Sequence, residues 1–242
     1  MVAKQVQVRK QSRAGFYALL GAVAVAGAGA LYWATNRSTA VIAKVDPSIP
    51  LPKAEGYVNG RADAPVEIIE FADFECPGCG QFATVTEPDI RAKLIATGEV
   101  KFRYMDYPLP IHQNTMAASL AAACADEQGK FWEMHDRIFM GQPDWSSYAT
   151  SNPKKFFKEY AGEVGLNVDA WNTCFDSQKL VPKIEAHRNE ALKRNIGSTP
   201  TFIVGGRMLS GSMSYDAIKA LVDSAKADLA KGAPAAAPAA TP

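Results

Sequence analysis

Apolar residues fall into runs of two periods along this chain, and the changes between them outline the fold. Val66-Glu67-Ile68-Ile69-Glu70-Phe71 is short, β-branched and mostly apolar, the composition of a strand buried on both faces. The pattern turns helical at Cys76 and predicts a helix over 76–97, kinked at Pro88 and stopped by Gly98. Residues 100–105 carry apolar or aromatic side chains at alternate positions and read as a second strand, parallel to the first because a helical crossover joins them. After Pro108 and Pro110 the pattern stays helical to about residue 196. Helices are expected over 114–128 and 131–139, then a third opened by Asn152-Pro153 as N-cap and first-turn proline and closed by Gly165. A fourth starts at Asn167, with Leu166 and Trp171 placed as a hydrophobic staple, and 181–196 returns the chain to Gly197. Residues 201–204 and 207–210 flank Gly205-Gly206 as a hairpin, and 215–231 forms an amphipathic closing helix.

The ends have a different character. Lys4, Arg9, Lys10 and Arg13 make 1–13 a basic segment, followed by an uncharged run over 14–34. At about 1.5 Å per residue that run is long enough for a bilayer core of about 30 Å. Basic residues before it, with only Arg37 soon after, place the N-terminus in the cytoplasm and the remainder outside. A transmembrane signal-anchor is the expectation, Leu31-Tyr32-Trp33 offering an interfacial belt; cleavage at Ala28-Gly29-Ala30, releasing a secreted protein, is the alternative. Residues 35–54 read as a linker, 55–231 as the globular domain with its helical insertion over about 110–196, and the Ala/Pro-rich 232–242 as a disordered tail.

Composition adds a limit. The 242 residues are 48% hydrophobic and 21% charged, which suits one globular domain with extra segments. Net charge is +1, but after Arg37 there are 21 basic residues against 25 acidic ones, which argues against a nucleic-acid partner.

Candidate chemistry concentrates where the first strand meets its helix, at Cys76-Pro77-Gly78-Cys79. Pro77 suits the first helical position, which makes Cys76 the N-cap, facing unpaired backbone N–H groups that stabilise a thiolate. Cys79, one turn further in, is positioned to attack a mixed disulfide formed at Cys76. Half of a metal site and an inert bridge are the other readings; a zinc site wants four ligands, and no second Cys-x-x-Cys is present. Glu70, six residues before Cys76, would be costly to bury charged and would carry a raised pKa, making it a candidate acceptor of the Cys79 proton. The alternative is an edge position facing solvent. His112, His135 and His187 have no partner at metal spacing; His135 reads as a packed histidine and His112 is left unassigned. Phe131, Trp132, Met134, Ile138 and Phe139 read as core, and Lys154-Lys155-Phe156-Phe157-Lys158 as a solvated helix face over an apolar one.

With the cysteine pair and Glu70 in place, residues 55–230 resemble the DsbA-like thiol oxidoreductases of the thioredoxin superfamily. Gln128-Gly129-Lys130-Phe131-Trp132 resembles the family's helical insert, and Gly197-Ser198-Thr199-Pro200-Thr201-Phe202 its cis-proline loop. The resemblance implies a thioredoxin-like α/β fold with a helical insertion, Cys76 as nucleophile, Cys79 as resolving thiol and Glu70 as buried proton acceptor. It also implies Thr199 before a cis-Pro200 at the substrate edge; no cofactor or metal is expected. Gly78 departs from DsbA, which has His there, so the couple is expected to be more reducing than DsbA's roughly −120 mV yet less so than thioredoxin's roughly −270 mV.

The implied function is disulfide donation to reduced exported proteins by a monomer, recharged by a quinone-linked membrane partner of the DsbB or VKOR type. A reductase or isomerase, and a non-catalytic assembly module, are the alternatives; the stretch 37–65 is too short for the dimerisation module an isomerase of the DsbC or DsbG kind needs. In an oxidising compartment two buried thiols on insert helices would ordinarily pair, so Cys124 and Cys174 are expected to form a disulfide, separate core cysteines being the alternative. Mass spectrometry of the mature protein tests the anchor: an intact N-terminus in the membrane fraction is expected, and a chain starting near Leu31 would make the segment a cleaved signal.

Overall fold

The computed structural model describes residues 14–36 and 53–232. These fall into two units, divided after Arg37. The first contains helix α1 (Ala14–Asn36), whose described side chains, at 17–29, are exposed. That stretch rises only about 20 Å, short of the span expected over 14–34, and among the described residues no helix is long and apolar enough to cross a membrane. The basic segment 1–13, linker residues 37–52 and tail residues 233–242 lie outside the described residues.

The second unit is built on a sheet in the order β1-β3-β2-β4-β5. Its centre is β2 (Val66–Ala72), paired in parallel with β3 (Val100–Asp106), Glu70 opposite Tyr104. On its other side β2 runs antiparallel to β4 (Thr201–Val204), which turns through Gly205 (φ 54°) and Gly206 (φ 76°) into β5 (Arg207–Ser210). Two successive positive φ angles are what a tight hairpin matched to strand twist requires, and glycine adopts them without a Cβ clash. The outer strand β1 (Tyr57–Asn59), antiparallel to β3, is too short for any periodicity to reveal.

The sheet buries both faces. On one, Ile68, Phe102, Phe202 and Val204 pack with Phe82, Ile90, Leu94 and with Ile218 and Val222 of α10 (Tyr215–Ala230). On the other, Phe71, Met105 and Ile203 meet Ala191 of α9 (Val181–Lys193) and Ile196, whose carbonyl accepts a 2.7 Å hydrogen bond from the Tyr107 hydroxyl.

The helix predicted over 76–97 forms with a different interior. α2 (Pro77–Gln81) passes into a π-helical turn over Phe82–Thr86, then α3 (Glu87–Ile90) and a second π-helical turn over Arg91–Ile95. Pro88 has no N–H to offer the preceding turn, and the backbone widens ahead of it, Glu87 N–H reaching Phe82 O. Two π turns thus flank Pro88, where a kink is expected from the sequence.

The insertion consists of α4 (Thr115–Asp126), α5 (Phe131–Met140), α6 (Gln142–Trp145), α7 (Lys154–Glu163) and α8 (Val168–Ser177). Asn167 caps α8 as predicted, accepting from Ala170 N–H, whereas α7 begins at Lys154 with Pro153, not Asn152, at the cap. Trp145 and Trp171 are fully buried, and their indole N–H groups reach Ile138 O at 2.7 Å and Ala121 O at 3.0 Å. Both therefore bury a large ring without leaving a donor unpaired. Cys124 of α4 and Cys174 of α8 are joined in a disulfide that closes a separation of 50 residues.

Closing such a loop constrains the unfolded chain and stabilises by up to about 4 kcal/mol in the chain-entropy treatment. Cys124→Ala/Cys174→Ala protein is expected to unfold in denaturant with about 2–4 kcal/mol less stability than the parent; a difference under about 0.5 kcal/mol would mean that the bridge adds nothing to it.

Candidate active site

The sharp turn after β2 is held by carboxylates. Asp73 Oδ1 accepts from Glu75 N–H at 2.7 Å and from the Thr115 hydroxyl at 2.5 Å; its Oδ2 accepts from Leu109 N–H and sits 2.8 Å from His112 Nδ1. Glu75 Oε2 accepts from Asn114 N–H at 2.7 Å, and Oε1 from Ser147 N–H. Both acids are buried, and the donors that meet their oxygens fix the loop to the insertion. The side chain of Gln142 adds a third tie, its Nε2 donating to Phe74 O at 2.7 Å and to Cys76 O at 3.1 Å.

Into this frame the sequence delivers the two cysteines. Cys76 is the N-cap of α2, extended at φ −72° and ψ 123°, with Pro77 beginning the helix. Its thiol is unpaired with Cys79 in this structure, and its Sγ lies 3.4 Å from the Thr199 carbonyl. The Thr199–Pro200 bond is cis. Cys76 keeps only 9% of its surface exposed, and Cys79 keeps none. The pair is covered by the Thr199–Pro200 loop: a Cβ at Gly78 would stand 3.4 Å from Pro200 Cδ and 3.8 Å from Cys76 Sγ.

The two sulfurs experience opposite fields. A hydrogen bond from the Cys79 thiol, helped by Thr199 and by the backbone N–H groups of Cys79 and Gly78, outweighs burial and brings Cys76 down to about 5. The Thr199 hydroxyl has no other partner among the described residues. Burial pushes Cys79 well up, and the neighbouring Cys76 and Glu70 charges push the same way. Its sulfur accepts from Asp73 N–H at 3.5 Å.

Glu70 is 1% exposed and points from the central strand toward the face covered by α2 and α3, which removes the edge alternative. Burial holds its carboxyl well above the usual range, Glu87 reinforcing the shift and Arg91 opposing it. The structure thus brings Cys76, Cys79, Glu70, Thr199 and Pro200 to one place, while Cys124 and Cys174 are bonded to each other within the insertion. Among the described residues no group of three or more candidate ligands could hold a metal ion. His112, unassigned from sequence, borders the site through Asp73, whose hydrogen bond raises its pKa. Gln142 was not foreseen: α6 has only four residues, and a lone glutamine carries no signal of a clamp.

Comparison with known proteins places the fold. The solved structure of BdbD from Bacillus subtilis (oxidised) matches 72% of this chain and 95% of its own, at 26% identity and a TM-score of 0.62. That of Wolbachia pipientis alpha-DsbA1 matches 75% and 96%, at 22% identity and a TM-score of 0.66, a likeness of fold. Disulfide bond formation protein D of Bacillus subtilis is 27% identical over 178 residues, 71% of this chain and 78% of the relative. The Na(+)/H(+) antiporter NhaA 3 of Salinispora tropica is 32% identical over 182 residues, but the chain spans about a quarter of that relative's length, 26%. A family model described as thioredoxin covers residues 53–224, which include β2, both cysteines, the insertion and Pro200; the chain belongs to the thioredoxin family, in the DsbA-like form of its fold.

Proposed function

We propose that this chain is a thiol:disulfide oxidoreductase that works outside the cytoplasm, held to the membrane by its N-terminal segment, and donates its Cys76–Cys79 disulfide to reduced exported proteins. The observation that carries this reading is the split between the sulfurs, a stabilised Cys76 thiolate beside a fully buried Cys79. A substrate thiolate attacks Cys76 Sγ, the S–S bond breaks, and Cys79 leaves as a thiolate that takes a proton from Glu70. A second substrate thiolate then attacks its own sulfur in the mixed disulfide and expels Cys76. Two electrons have moved from substrate to the cysteine pair, and a group with a pKa of about 5 leaves readily at neutral pH. Recharging by a quinone-linked membrane protein of the DsbB or VKOR type, and action as a monomer, complete the proposal.

The surroundings support unfolded chains as substrates. Ile111, Met140 and Tyr148 are 76%, 62% and 94% exposed, and each lies within two residues of His112, Gln142 or Ser147, which are tied to the 73–76 turn. Exposed apolar side chains next in sequence to the residues that hold the redox turn suit an apolar, extended partner, with Thr199 and Pro200 as its backbone edge. The uncharged run over 14–34 behind its basic flank, and the Cys124–Cys174 bridge, support a place outside the cytoplasm.

A thiolate at about 5 lies between those of DsbA and thioredoxin, roughly 3.5 and roughly 7, so the potential should lie between their roughly −120 and roughly −270 mV. Equilibration with glutathione measures it, and a value at or below thioredoxin's would overturn the donor direction. Thiolate absorbance of the reduced protein should rise through about pH 5 and be nearly complete at pH 7; a midpoint above 8 would remove the activated nucleophile. Gly78→His places a side chain beside Cys76 Sγ without a backbone clash. It should lower the Cys76 pKa and make the potential more oxidising, by about 30 mV for each tenfold change in the equilibrium. An unchanged potential would show that position 78 does not tune the pair.

A further inference from the structure

Behind the cysteines lies a buried polar cluster that the exchange steps above leave unused. Glu87, at the start of α3, is 1% exposed, and its Oε1 is held by Arg91 Nε at 2.8 Å and Nη2 at 2.6 Å. Its Oε2 has no hydrogen-bond partner and points at His135 Nε2, 3.9 Å away, which has none either. His135 of α5 is completely buried among the rings of Phe74, Tyr104, Phe131, Trp132 and Phe139. Its Nδ1 sits 2.8 Å from Asp136 Oδ1, and the Asp136 side chain is 42% exposed.

The chemistry of these contacts is specific. Asp136 is ionised: burial pushes its pKa up, but His135 and Arg91 bring it below the ordinary value. The 2.8 Å contact of Nδ1 with Asp136, shorter than the 3.4 Å approach of Arg91 Nη2 to the same nitrogen, puts the imidazole hydrogen on Nδ1 and leaves the Nε2 lone pair facing Glu87 Oε2. Two acceptors in register inside an aromatic box make a place for one exchangeable proton, within a small side-chain rotation of a direct hydrogen bond. Glu70 points toward the same helix, two residues beyond Ile68, which packs on Phe82 and Ile90.

We propose that Glu87 and His135 form a proton relay between the buried acid at the cysteine pair and the protein surface. When Cys79 attacks the mixed disulfide its proton passes to Glu70, then to Glu87 Oε2 and to His135 Nε2. His135 releases its Nδ1 proton to Asp136, from which solvent removes it, so one proton enters the chain of groups and one leaves. Disulfide donation runs the relay inward and returns the imidazole to its starting tautomer. The charged and titratable groups facing the relay are Cys79 from α2, Glu70 from β2, Tyr104 from β3, and Arg91 beside α3. The relay rests on the redox reading above.

The test is single-turnover oxidation of the full-length reduced protein by oxidised glutathione, acid-quenched and read by mass spectrometry across pH 5 to 9. His135→Phe keeps an aromatic ring, and Glu87→Gln serves as the second variant should His135→Phe not fold. In each, formation of the Cys76 mixed disulfide should stay within about twofold of the parent. Its resolution by Cys79 should slow about tenfold or more at pH 7 and recover as pH rises, the loss general acid–base catalysis predicts. Resolution rates and pH profiles like the parent's in every variant that folds would overturn the relay, even where the melting temperature falls. A parent that forms no mixed disulfide at Cys76 would instead overturn the redox assignment.

Discussion

Cys79 and Glu70 are both taken out of water within reach of each other's charge, and the behaviour of the site descends from that burial. A buried thiol resists ionisation, so Cys79 stays protonated and offers its hydrogen to Cys76. A buried carboxyl also resists ionisation, so Glu70 can hold a proton at a pH where an exposed acid would not. Both effects need a strand that is central in the sheet and a helix laid across it. β2 and the α2–α3 segment supply them, with Phe82, Ile90 and Leu94 sealing the space.

Burial of this kind is sustained by polar groups that are well satisfied. Asp73 and Glu75 take six donor contacts between them from both lobes of the domain. Removing one such acid would strand several buried N–H groups, each costing about 1–3 kcal/mol. The insertion is therefore part of the redox turn. Gly80 shows how closely the two are fitted, since a Cβ there would come within 2.9 Å of the Gln142 amide.

Much of this was legible from residue order, because the period of the apolar pattern and the turn residues report local geometry directly. β2, β3, the hairpin and the insert helices announce themselves in this way, as do Cys76 at a helix start and Pro200 ahead of a strand. What could not be read depends on contacts between distant segments. β1 and α6 are too short to carry a period, and the π turns answer to packing as well as to Pro88. Asp73 stands alone in the order of residues, and His135 reads there as a packed ring. Their partners Thr115, His112, Glu87 and Asp136 come from other elements or become aligned only when those elements pack.

The lowered pKa of Cys76 also links redox power to folding stability. In the folded, reduced protein this thiol has lost its proton above about pH 5, whereas in an unfolded chain it keeps it until about pH 8.5. Over that window the unfolded state binds more protons, so the reduced form gains stability as pH rises and loses it as pH falls back through about 5. The disulfide form has no such group. At neutral pH it lacks that contribution to its stability. Any change that strengthens the hydrogen bonds to the Cys76 thiolate toughens the spent protein and, by the same free energy, sharpens the charged one as an oxidant.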